Sequence, residues 1–523
     1  MFLYKLKSLK FAFKLIFSII LFYSFQSCSY GQRDSYDDLE FTAADTLRGM
    51  LSPERACYDV GYYELFVAID LEKKYLDGKV NFHFTATTDF SKLQFDLFEN
   101  LKIDEVTFQG KTLKYERDGN AVFVDFRDPI LQGSKNYFTV AYSGHPIEAK
   151  AAPWDGGFVW KKDDKDRDWV GVACEGIGAS IWWPNKDHLS DEPDSMLIAV
   201  TVPKELFCAS NGNLETINDI EKDKKEYQWK VSYPINNYNV SVNIGHYEHF
   251  KEEYISADGT ILDLDYYVLD YNLKKAKIHF EQVPQVLKSY EHYFGKYPFW
   301  KDGFALVETP YLGMEHQSGI AYGNKYMRGY LGAGIPSHMD WDYIIVHETG
   351  HEYWGNSISI NDHAEMWIHE SFTTYMEALF VEYTFSYQEA VDYLGMQRSY
   401  IRNLRPMVGP MNVNFSAFGS SDHYYKGSWV LHTLRNVIDN DELWFDILKS
   451  FYQEHKISNV TSSDFITFVN EKTGQDFTYF FDQYLYKAKI PVLQYKMEPQ
   501  GNNLVVHYKW KRGLEDFIME IKM

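Results

Sequence analysis

The pattern that most constrains this chain is HETGH at residues 347–351, followed by Glu370 19 positions after the second histidine. Two histidines four residues apart lie on one face of an α-helix, so His347 and His351 can turn their imidazoles toward one point. A carboxylate from a second helix would complete three ligands and leave a fourth position for water, the arrangement of catalytic rather than structural zinc. The sequence therefore predicts two packed helices that hold one Zn2+ per chain through His347, His351 and Glu370.

Glu348 lies between the two histidines but on a different face of the predicted helix. Its carboxylate would sit beside the metal-activated water, where it could act as the general base. Residues 340–346 contain no helix breaker and lead into the first histidine, and Ser337 is the expected N-cap. Apolar residues at helical spacing follow Glu370, which predicts that this ligand begins a buried helix.

Composition and patterning place the chain among multidomain globular proteins. Its 523 residues exceed what one hydrophobic core supports, and an aromatic content of 17% indicates packed structure. Short alternating runs from about residue 57 to 247 predict strands, apolar residues at helical spacing dominate to about residue 487, and alternation returns after Pro491. The predicted fold class is multidomain α+β, with an N-terminal β domain, a mainly α domain and a short C-terminal β segment.

The predicted domain boundaries follow these changes of pattern. We expect an export signal over residues 1–28, a linker over 29–50, an all-β domain over 51–255, a zinc-binding helical domain over 256–488 and a partial β-sandwich over 489–523. Three strands cannot readily enclose a core, so the last segment must pack on something else or begin a domain that the chain does not finish.

Local signals predict turns and helix ends inside these domains. Turns are expected at residues 77–78, 109–110 and 118–119, where Asp or Gln precedes Gly. A helix is expected over residues 273–294, kinked at Pro284. Further helices are expected from the capping-box pattern at residues 386–389 and over 424–438, 441–454 and 463–472.

The N-terminus has the pattern of an export signal. A basic region with Lys5, Lys7, Lys10 and Lys14 precedes an apolar stretch over residues 15–25 that is too short for an ordinary membrane span. It ends at Ser27-Cys28, which resembles a bacterial lipoprotein cleavage site. We therefore expect an exported protein of a Gram-negative-type cell envelope, periplasmic or attached to the outer membrane through lipidated Cys28. Ordinary signal cleavage and a retained anchor are the alternatives.

Charge and cysteine content argue against a nucleic-acid-binding protein and against a fold held together by disulfides. The formal net charge is −22, and no block of Lys or Arg could neutralise phosphates, so nucleic acid is not an expected partner. After Cys28 only Cys57, Cys174 and Cys208 remain. An odd number argues against a disulfide framework, although one bridge could form, and none of the spacings makes a Cys-type metal site.

A second motif, LGMEH at residues 312–316, precedes the zinc motif. Together the two resemble the aminopeptidase N family of zinc metallopeptidases, the gluzincins that include leukotriene hydrolase, whose hallmark reads G-x-M-E-N ahead of H-E-x-x-H. Here Leu312 stands for the first Gly and His316 for the Asn. The resemblance covers roughly residues 57–490 and implies a saddle-like β domain followed by a thermolysin-like catalytic domain. Longer members add a β-sandwich and a helical domain that roofs the cavity, so either this site is more open or the sequence is incomplete.

The resemblance also implies how substrate is held. Gly313 and Met314 match an edge strand that pairs with the substrate backbone in the family, and Glu315 matches the glutamate that holds the free α-amine. Glu175, which follows Cys174, resembles the acidic residue with which the β domain supplies a second amine ligand. Two carboxylates would balance one ammonium, so internal peptide segments that lack this charge should be rejected.

Downstream, YYKG at residues 424–427 resembles the family's Y-x-K-G, whose first tyrosine donates a hydrogen bond to the oxyanion. This match selects Tyr424, with Tyr425 as the alternative. The resemblance implies a zinc aminopeptidase that releases N-terminal amino acids from peptides with a free N-terminus. A zinc endopeptidase, an epoxide hydrolase like leukotriene hydrolase and a non-catalytic surface binding lipoprotein with the same fold remain as alternatives.

Overall fold

A computed structural model describes residues 32–515 and 517–521 of the chain. The export signal predicted over residues 1–28, including Cys28, lies outside these residues. Within the described part, no helix combines the length and the hydropathy that crossing a membrane requires.

The described chain begins with two short helices, α1 (Ala43–Gly49) and α2 (Pro53–Ala56), and continues as a β domain. Its strands are β1 Tyr58–Asp70, β2 Tyr75–Ala86, β3 Phe90–Asp96, β4 Leu101–Phe108, β5 Lys111–Thr112, β6 Lys114–Asp118, β7 Ala121–Ile130, β8 Lys135–Gly144, β9 Gly157–Lys162, β10 Asp168–Ala173, β11 Ser195–Pro203, β12 Phe207–Ala209, β13 Asn213–Glu221, β14 Lys224–Val231 and β15 Asn243–Gly245. They form an eight-stranded sheet of order β13-β14-β11-β1-β2-β8-β4-β5, a four-stranded sheet of order β12-β15-β10-β9 and a three-stranded sheet of order β3-β7-β6.

One predicted turn in the β domain is wrong. Gly110 and Gly119 lie in tight connections with positive φ, as expected, but Gly78 lies inside β2, paired with Tyr142 of β8. A Cβ atom at Gly78 would lie 2.6 Å from the Tyr142 ring. The glycine at residue 78 therefore allows a close approach of an aromatic side chain rather than a reversal of the chain.

The second domain combines one mixed sheet with a set of helices. The strands of the mixed sheet are β16 Tyr247–Ile255, β17 Ile261–Leu269, β18 Phe304–Glu308, β19 Gly313–Met314 and β20 Ile320–Tyr322. Their order is β16-β17-β18-β20-β19, with the short β19 at one edge. Two further strands, β21 Ile358–Ile360 and β22 Ser458–Val460, form a separate parallel pair. The helices are α3 Leu273–His279, α4 Val283–Phe294, α5 Tyr343–His351, α6 Trp367–Thr384, α7 Tyr387–Gln397, α8 Asp422–Ile438, α9 Asp441–His455, α10 Ser462–Thr473 and α11 Thr478–Leu485.

The mixed sheet lies between two hydrophobic cores. Alternate residues of its central strands, such as Leu306 and Ile320, belong to the core beneath the helices. Their neighbours Val307 and Ala321 belong to the core of the β domain. Because successive side chains of a strand point to opposite faces, this sheet carries edge strand β19 at the junction of the two domains.

Two predicted features of this region differ in the structure. The boundary expected at residues 255/256 would separate β16 from β17, but these strands pair along their whole length, from Tyr247 with Leu269 to Ile255 with Ile261. The helix expected over residues 273–294 is two helices joined by a 3-10 turn. Pro284 lies in the first turn of α4, where its missing N–H would have no helical partner, so it helps to begin a helix rather than to kink one.

The linker expected over residues 29–50 is also different in its described part, which packs against the second domain. The backbone N–H of Arg33 donates to the Leu404 carbonyl over 2.9 Å, and the Tyr36 hydroxyl donates to the Pro406 carbonyl over 2.7 Å. The Tyr36 ring meets Phe415 edge-on at 4.9 Å between ring centroids. This segment is ordered against the body of the protein because its aromatic and polar groups find partners there.

The chain continues after α11 as a hairpin of β23 Val492–Gln500 and β24 Asn503–Lys511. Cys57, Cys174 and Cys208 are buried and free, so the bridge left open by the sequence is not formed among them. The predicted fold class is confirmed: a β domain of several sheets precedes a mainly helical domain and a short C-terminal β segment.

Candidate metal centre and active site

Helix α5 carries the HETGH motif and begins at Tyr343, later than predicted. Its N-cap is Asp342 rather than Ser337, and the Asp342 carboxylate accepts from the backbone N–H groups of Ile344 and Ile345 over 2.9 and 3.3 Å. The same carboxylate accepts from the Tyr322 hydroxyl over 2.8 Å. A buried acidic cap thus ties the start of α5 to strand β20 of the mixed sheet.

The three predicted metal ligands meet between α5 and α6. The Nε2 atoms of His347 and His351 are 3.1 Å apart, and Glu370 Oε2 lies 3.6 and 3.4 Å from them. All three side chains are buried. His351 lies one helical turn after His347, and Glu370 lies in the first turn of α6, so two packed helices alone set this convergence.

Neighbouring groups orient both imidazoles toward the same point. His347 Nδ1 donates to Glu377 Oε1 over 2.7 Å, and His351 Nδ1 donates to the Trp354 carbonyl over 3.0 Å. With Nδ1 occupied in each ring, both Nε2 atoms are free to act as ligands. Glu370 Oε2 is buried without a hydrogen-bond partner, so one carboxylate oxygen also faces the point where the rings converge.

This donor set fits a divalent transition metal. Two imidazole nitrogens and one carboxylate oxygen lie within 4.8 Å of one another, and two histidines with a glutamate are a ligand set of catalytic zinc. Glu377, which orients His347, was not among the residues predicted from the sequence. Its position seven residues after Glu370, two turns along the same helix, is the signal that could have identified it.

Glu348, the predicted general base, lies against the edge strand. Gly313 of β19 pairs with Tyr322 of β20, and a Cβ atom at Gly313 would lie 2.6 Å from Glu348 Oε1. Glycine is therefore required where the edge strand crosses the catalytic helix. Burial raises the pKa of Glu348 to about 7, which suits a group that must take up and release a proton.

The two predicted amine ligands come from different domains and meet in one pocket. Glu315 follows β19, and the hydroxyl of Tyr238 from the β domain donates to its Oε1 over 3.1 Å. Glu175 follows β10, and its Oε1 is buried without a hydrogen-bond partner. Burial, reinforced by the negative charge of Glu315, raises the pKa of Glu175 well above its ordinary value. A pocket with two such carboxylates favours a cation.

Tyr424 lies beside the metal ligands in the first turn of α8. Its ring stacks near that of His347, with centroids 6.1 Å apart, and burial raises its pKa well above the ordinary value. A Cβ atom at Gly427 would lie 1.6 Å from Ser371 Oγ, so the glycine of the YYKG sequence lets α8 pack directly on α6. This contact carries Tyr424 to the end of α6 that bears Glu370.

One cavity of about 1320 Å³ contains the metal ligands, Glu348, the two predicted amine ligands and Tyr424. The predicted site residues that line it are Glu175, Gly313, Met314, Glu315, His347, Glu348, His351, Glu370 and Tyr424, together with the alternative Tyr425. The structure thus brings every predicted site residue to one place. Tyr238, which holds Glu315, was missed, and no local sequence signal marks it among 41 tyrosines.

A β domain joined at a shared sheet to a helical domain with this donor set defines the architecture of a metallopeptidase. Two family models match the chain: the peptidase M1 N-terminal domain over residues 60–238 and the peptidase family M1 domain over residues 278–484. The chain belongs to peptidase family M1, which confirms the resemblance that its motifs predict.

Curated relatives and solved structures agree with this assignment. The chain is 21% identical over 460 residues to a probable aminopeptidase 2 of Sulfurisphaera tokodaii, covering 84% of this chain and 55% of the relative. It is 26% identical over 222 residues to aminopeptidase N of Lactococcus lactis subsp. lactis, covering 40% of this chain and 26% of that protein. The aligned region thus spans about half or less of these relatives.

Among solved structures, an M1 zinc metallopeptidase from Deinococcus radiodurans has a TM-score of 0.69 at 18% identity, covering 83% of this chain and 95% of that one. A mutant M1 zinc metallopeptidase from the same organism, bound to a Tyr-Ser-Ala substrate, also gives 0.69 at 18% identity, covering 85% and 98%. These similarities show that the fold is shared.

Proposed function

We propose that this chain is a zinc-dependent aminopeptidase that releases N-terminal amino acids from peptides with a free N-terminus. The observation that carries this proposal is a pair of carboxylates in the cavity that also contains the metal ligands: Glu315, which is buried, and Glu175, whose Oε1 atom is buried without a hydrogen-bond partner. A metal-dependent endopeptidase has no need for an acidic pocket at this place, whereas a substrate ammonium would neutralise it.

His347, His351 and Glu370 would hold the zinc ion. When bound, zinc supplies a Lewis acid that polarises a carbonyl and lowers the pKa of a bound water toward ~7. Glu175 and Glu315 grip the α-ammonium and so place the first peptide bond in the cavity. Glu348 accepts the proton of the attacking water and delivers it to the leaving amine. Tyr424 keeps its proton at neutral pH because burial raises its pKa, and donates a hydrogen bond to the developing oxyanion.

A comparison of free and blocked substrates tests the proposal. We expect rapid turnover of fluorogenic aminoacyl amides, no turnover of the same amides after N-acetylation, and loss of activity with a chelator that zinc restores. Equal turnover of free and acetylated peptides would instead identify an endopeptidase. A protein that holds zinc yet cleaves neither kind of substrate would contradict the enzymatic proposal and favour a binding protein with the same fold.

We further propose that the protein is exported and attached to a membrane through a lipidated Cys28. The support is the basic and apolar pattern of residues 1–25 and the small residue before Cys28. Mass spectrometry of the full chain expressed in a Gram-negative host should find an acylated Cys28 as the first residue. An unmodified mature chain, or loss of the signal with no acyl group, would contradict the attachment.

A further inference from the structure

Glu175 lies at the tip of a tight turn that has little support of its own. The backbone N–H of Ile177 donates to the Glu175 carbonyl over 2.8 Å, and that of Gly178 donates to the Cys174 carbonyl over 2.7 Å. Gly176 and Gly178 have φ values of 75° and 95°, a conformation that glycine adopts most readily. These are the two backbone hydrogen bonds within the turn. The position of Glu175 therefore depends on contacts between the turn and other segments of the chain.

Arg48, at the end of helix α1, holds the back of this turn. Its Nη2 donates to the Ile177 carbonyl over 3.0 Å, and its Nη1 donates to the Asp187 carbonyl over 2.6 Å. Nη2 also lies 2.9 Å from Asp187 Oδ2 in a largely buried ion pair. A Cβ atom at Gly178 would lie 1.8 Å from Arg48 Nη2, so the guanidinium packs directly on the turn.

A second contact holds the same turn from the opposite domain. Asn414 Nδ2 donates to the Gly176 carbonyl over 2.8 Å. The backbone of Gly49, the residue after Arg48, lies against Asn414, where a Cβ atom at Gly49 would meet the Asn414 nitrogen at 2.1 Å. The end of α1, the Glu175 turn and the loop around Asn414 thus form one three-way joint at the wall of the cavity.

The charges in the pocket explain why such a joint is needed. Glu175 and Glu315 lie close enough for strong electrostatic repulsion when both are ionised. Without a substrate ammonium, repulsion between two ionised carboxylates would displace the Glu175 turn, whose two glycines add no side chains that could anchor it. A guanidinium fixed to the backbone of the turn resists this displacement without neutralising the carboxylate, because it bonds to the Ile177 carbonyl and not to Glu175 itself.

We propose that Arg48 is a positioning residue for the Glu175 carboxylate. Helix α1 thereby supports the wall of the substrate-binding cavity that carries Glu175. This inference rests on the proposed aminopeptidase function. It adds to that function a segment, Ala43–Gly49, which lies before the residues matched by either family domain. Arg48 touches neither substrate nor metal; it acts through the turn.

The first experiment compares Arg48→Met with the parent protein on a free aminoacyl amide. Methionine keeps an apolar stem but no donor, so the Glu175 turn loses its support. We expect KM to rise by roughly tenfold, as for a weakened hydrogen bond to a charged group, while kcat changes by less than about twofold. Arg33→Ala is the matched control, because Arg33 makes an exposed ion pair with Asp38 in the same N-terminal segment, and it should leave both constants unchanged.

The second experiment separates positioning from a general loss of structure. In a Glu175→Gln background, Arg48→Met should change KM by less than about twofold, because the charge that it positions is gone. Arg48→Lys, which keeps a charge and at least one donor, should restore part of the affinity. If the effects of Arg48→Met and Glu175→Gln multiply, or if Arg48→Met lowers kcat and KM is unchanged, Arg48 does not act through Glu175. If Arg48→Met does not fold, Arg48→Lys takes its place. The inference is then supported if Arg48→Lys binds substrate more weakly than the parent protein, while Arg48→Lys/Glu175→Gln binds it as tightly as Glu175→Gln. Any other result would overturn the inference.

Calorimetric binding of an unreactive amino-acid amide gives a readout that does not need turnover. A parent protein that neither binds this ligand nor turns over aminoacyl amides overturns the proposed function and the inference with it. A parent that does both, with unchanged binding in Arg48→Met, overturns the inference alone.

Discussion

Glu348 and Tyr424 line the same cavity but hold their protons differently. Burial raises the pKa of Glu348 to about 7, so this carboxyl group can exchange a proton near neutral pH. Burial raises the pKa of Tyr424 far enough that it remains a donor. Environments that separate two titratable groups in this way assign one to proton transfer and the other to hydrogen bonding.

The role of Glu348 predicts the behaviour of Glu348→Gln. The amide has nearly the same shape but cannot accept the proton of water, so kcat should fall by about 10²–10⁴-fold. The zinc content should be unchanged, because Glu348 is not among the residues proposed to hold the metal, His347, His351 and Glu370. Steady-state kinetics with metal analysis of the same sample checks both points, and normal turnover would remove Glu348 from the role of base.

Tyr424→Phe should lower kcat by about 10²–10³-fold with little change in KM, because the proposed role of its hydroxyl is to stabilise charge that develops in the transition state. Tyr425 also lines the cavity, and its ring stacks on Tyr400 with centroids 5.0 Å apart. Tyr425→Phe is therefore the matched control. Kinetics of the two variants decide between them, and the reverse pattern would transfer the role to Tyr425.

At the residue scale, spacing alone predicted the metal ligands and Glu348, because helices set their positions, whereas Glu315, Glu175 and Tyr424 were predicted from the family resemblance. The distance between His347 and His351 is set by the helix itself, and Gly313 reaches Glu348 through an edge strand of two residues. Tyr238 could not be predicted in this way. Tyr238 and Glu315 are 77 residues apart in the chain, and their hydrogen bond forms only because the two domains pack together.

At the scale of elements, the start of helix α5 was predicted at the wrong residue. Ser337 has a favourable residue type and is exposed, but the chain reaches helical geometry only after Asp342, whose carboxylate is fully buried. Residue preference alone cannot distinguish two candidate caps, because the choice depends on partners such as Tyr322 that lie elsewhere in the fold.

The two candidate caps can be compared directly. Asp342→Ala should destabilise the protein by about 2–4 kcal/mol, because it removes the cap and leaves the Tyr322 hydroxyl without its acceptor. Ser337→Ala should change the free energy of unfolding by less than about 0.5 kcal/mol. Denaturant unfolding of both variants is the measurement, and an equal loss in the two would refute the assignment of the cap.

The packing of α8 on α6 gives a second prediction at this scale. Gly427→Ala places a methyl group against Ser371, so stability should fall by about 1–3 kcal/mol through overpacking. The kcat value should also fall, because Tyr424 lies one turn earlier on the displaced helix.

Gly395→Ala is the control for this change, because a Cβ atom on that exposed helical glycine meets nothing within 4 Å. It should stabilise the protein by about 0.5–1 kcal/mol. Thermal unfolding and kinetics test both variants, and an unaffected Gly427→Ala protein would show that α8 does not set the position of Tyr424.

At the scale of the whole molecule, charge should select among substrates. The acidic residues that line the cavity are Asp155, Glu175, Glu315, Glu348 and Glu370, and no Lys or Arg in the described part of the chain lines it. Peptides that begin with Asp or Glu should therefore be cleaved with a kcat/KM roughly tenfold or more below that of Leu or Arg peptides.

Asp155→Asn is the variant that tests this explanation. Asp155 is an exposed residue of the cavity lining, and its Oδ2 accepts from the backbone N–H groups of Lys150 and Ala151, which an amide oxygen can also do. The variant should narrow the difference between acidic and neutral peptides without changing the cleavage of neutral ones. Acidic peptides cleaved as fast as neutral ones by the parent protein would refute the electrostatic selection.

The order of the domains was predictable, because the spacing of apolar residues changes from that of strands to that of helices along the chain. The contacts between the domains could not be predicted in this way. The N-terminal segment was expected as a linker because it is polar, and its packing depends on Phe415 and Pro406 in the other domain. In the same way, the mixed sheet that both cores cover could not be assigned to one domain from local pattern alone.

Cys174, the residue before Glu175, has a free thiol that is fully buried, and burial raises its pKa well above the ordinary value. Alkylation requires the exposed thiolate, so a reagent can modify Cys174 only after the adjoining turn, or a larger part of the fold, has opened. The alkylation rate of Cys174 therefore reports how often this region opens. The alkylation rate of Cys208, a buried thiol in β12, serves as an internal reference for wider unfolding. A ligand that occupies the amine pocket should slow the first reaction and leave the second unchanged.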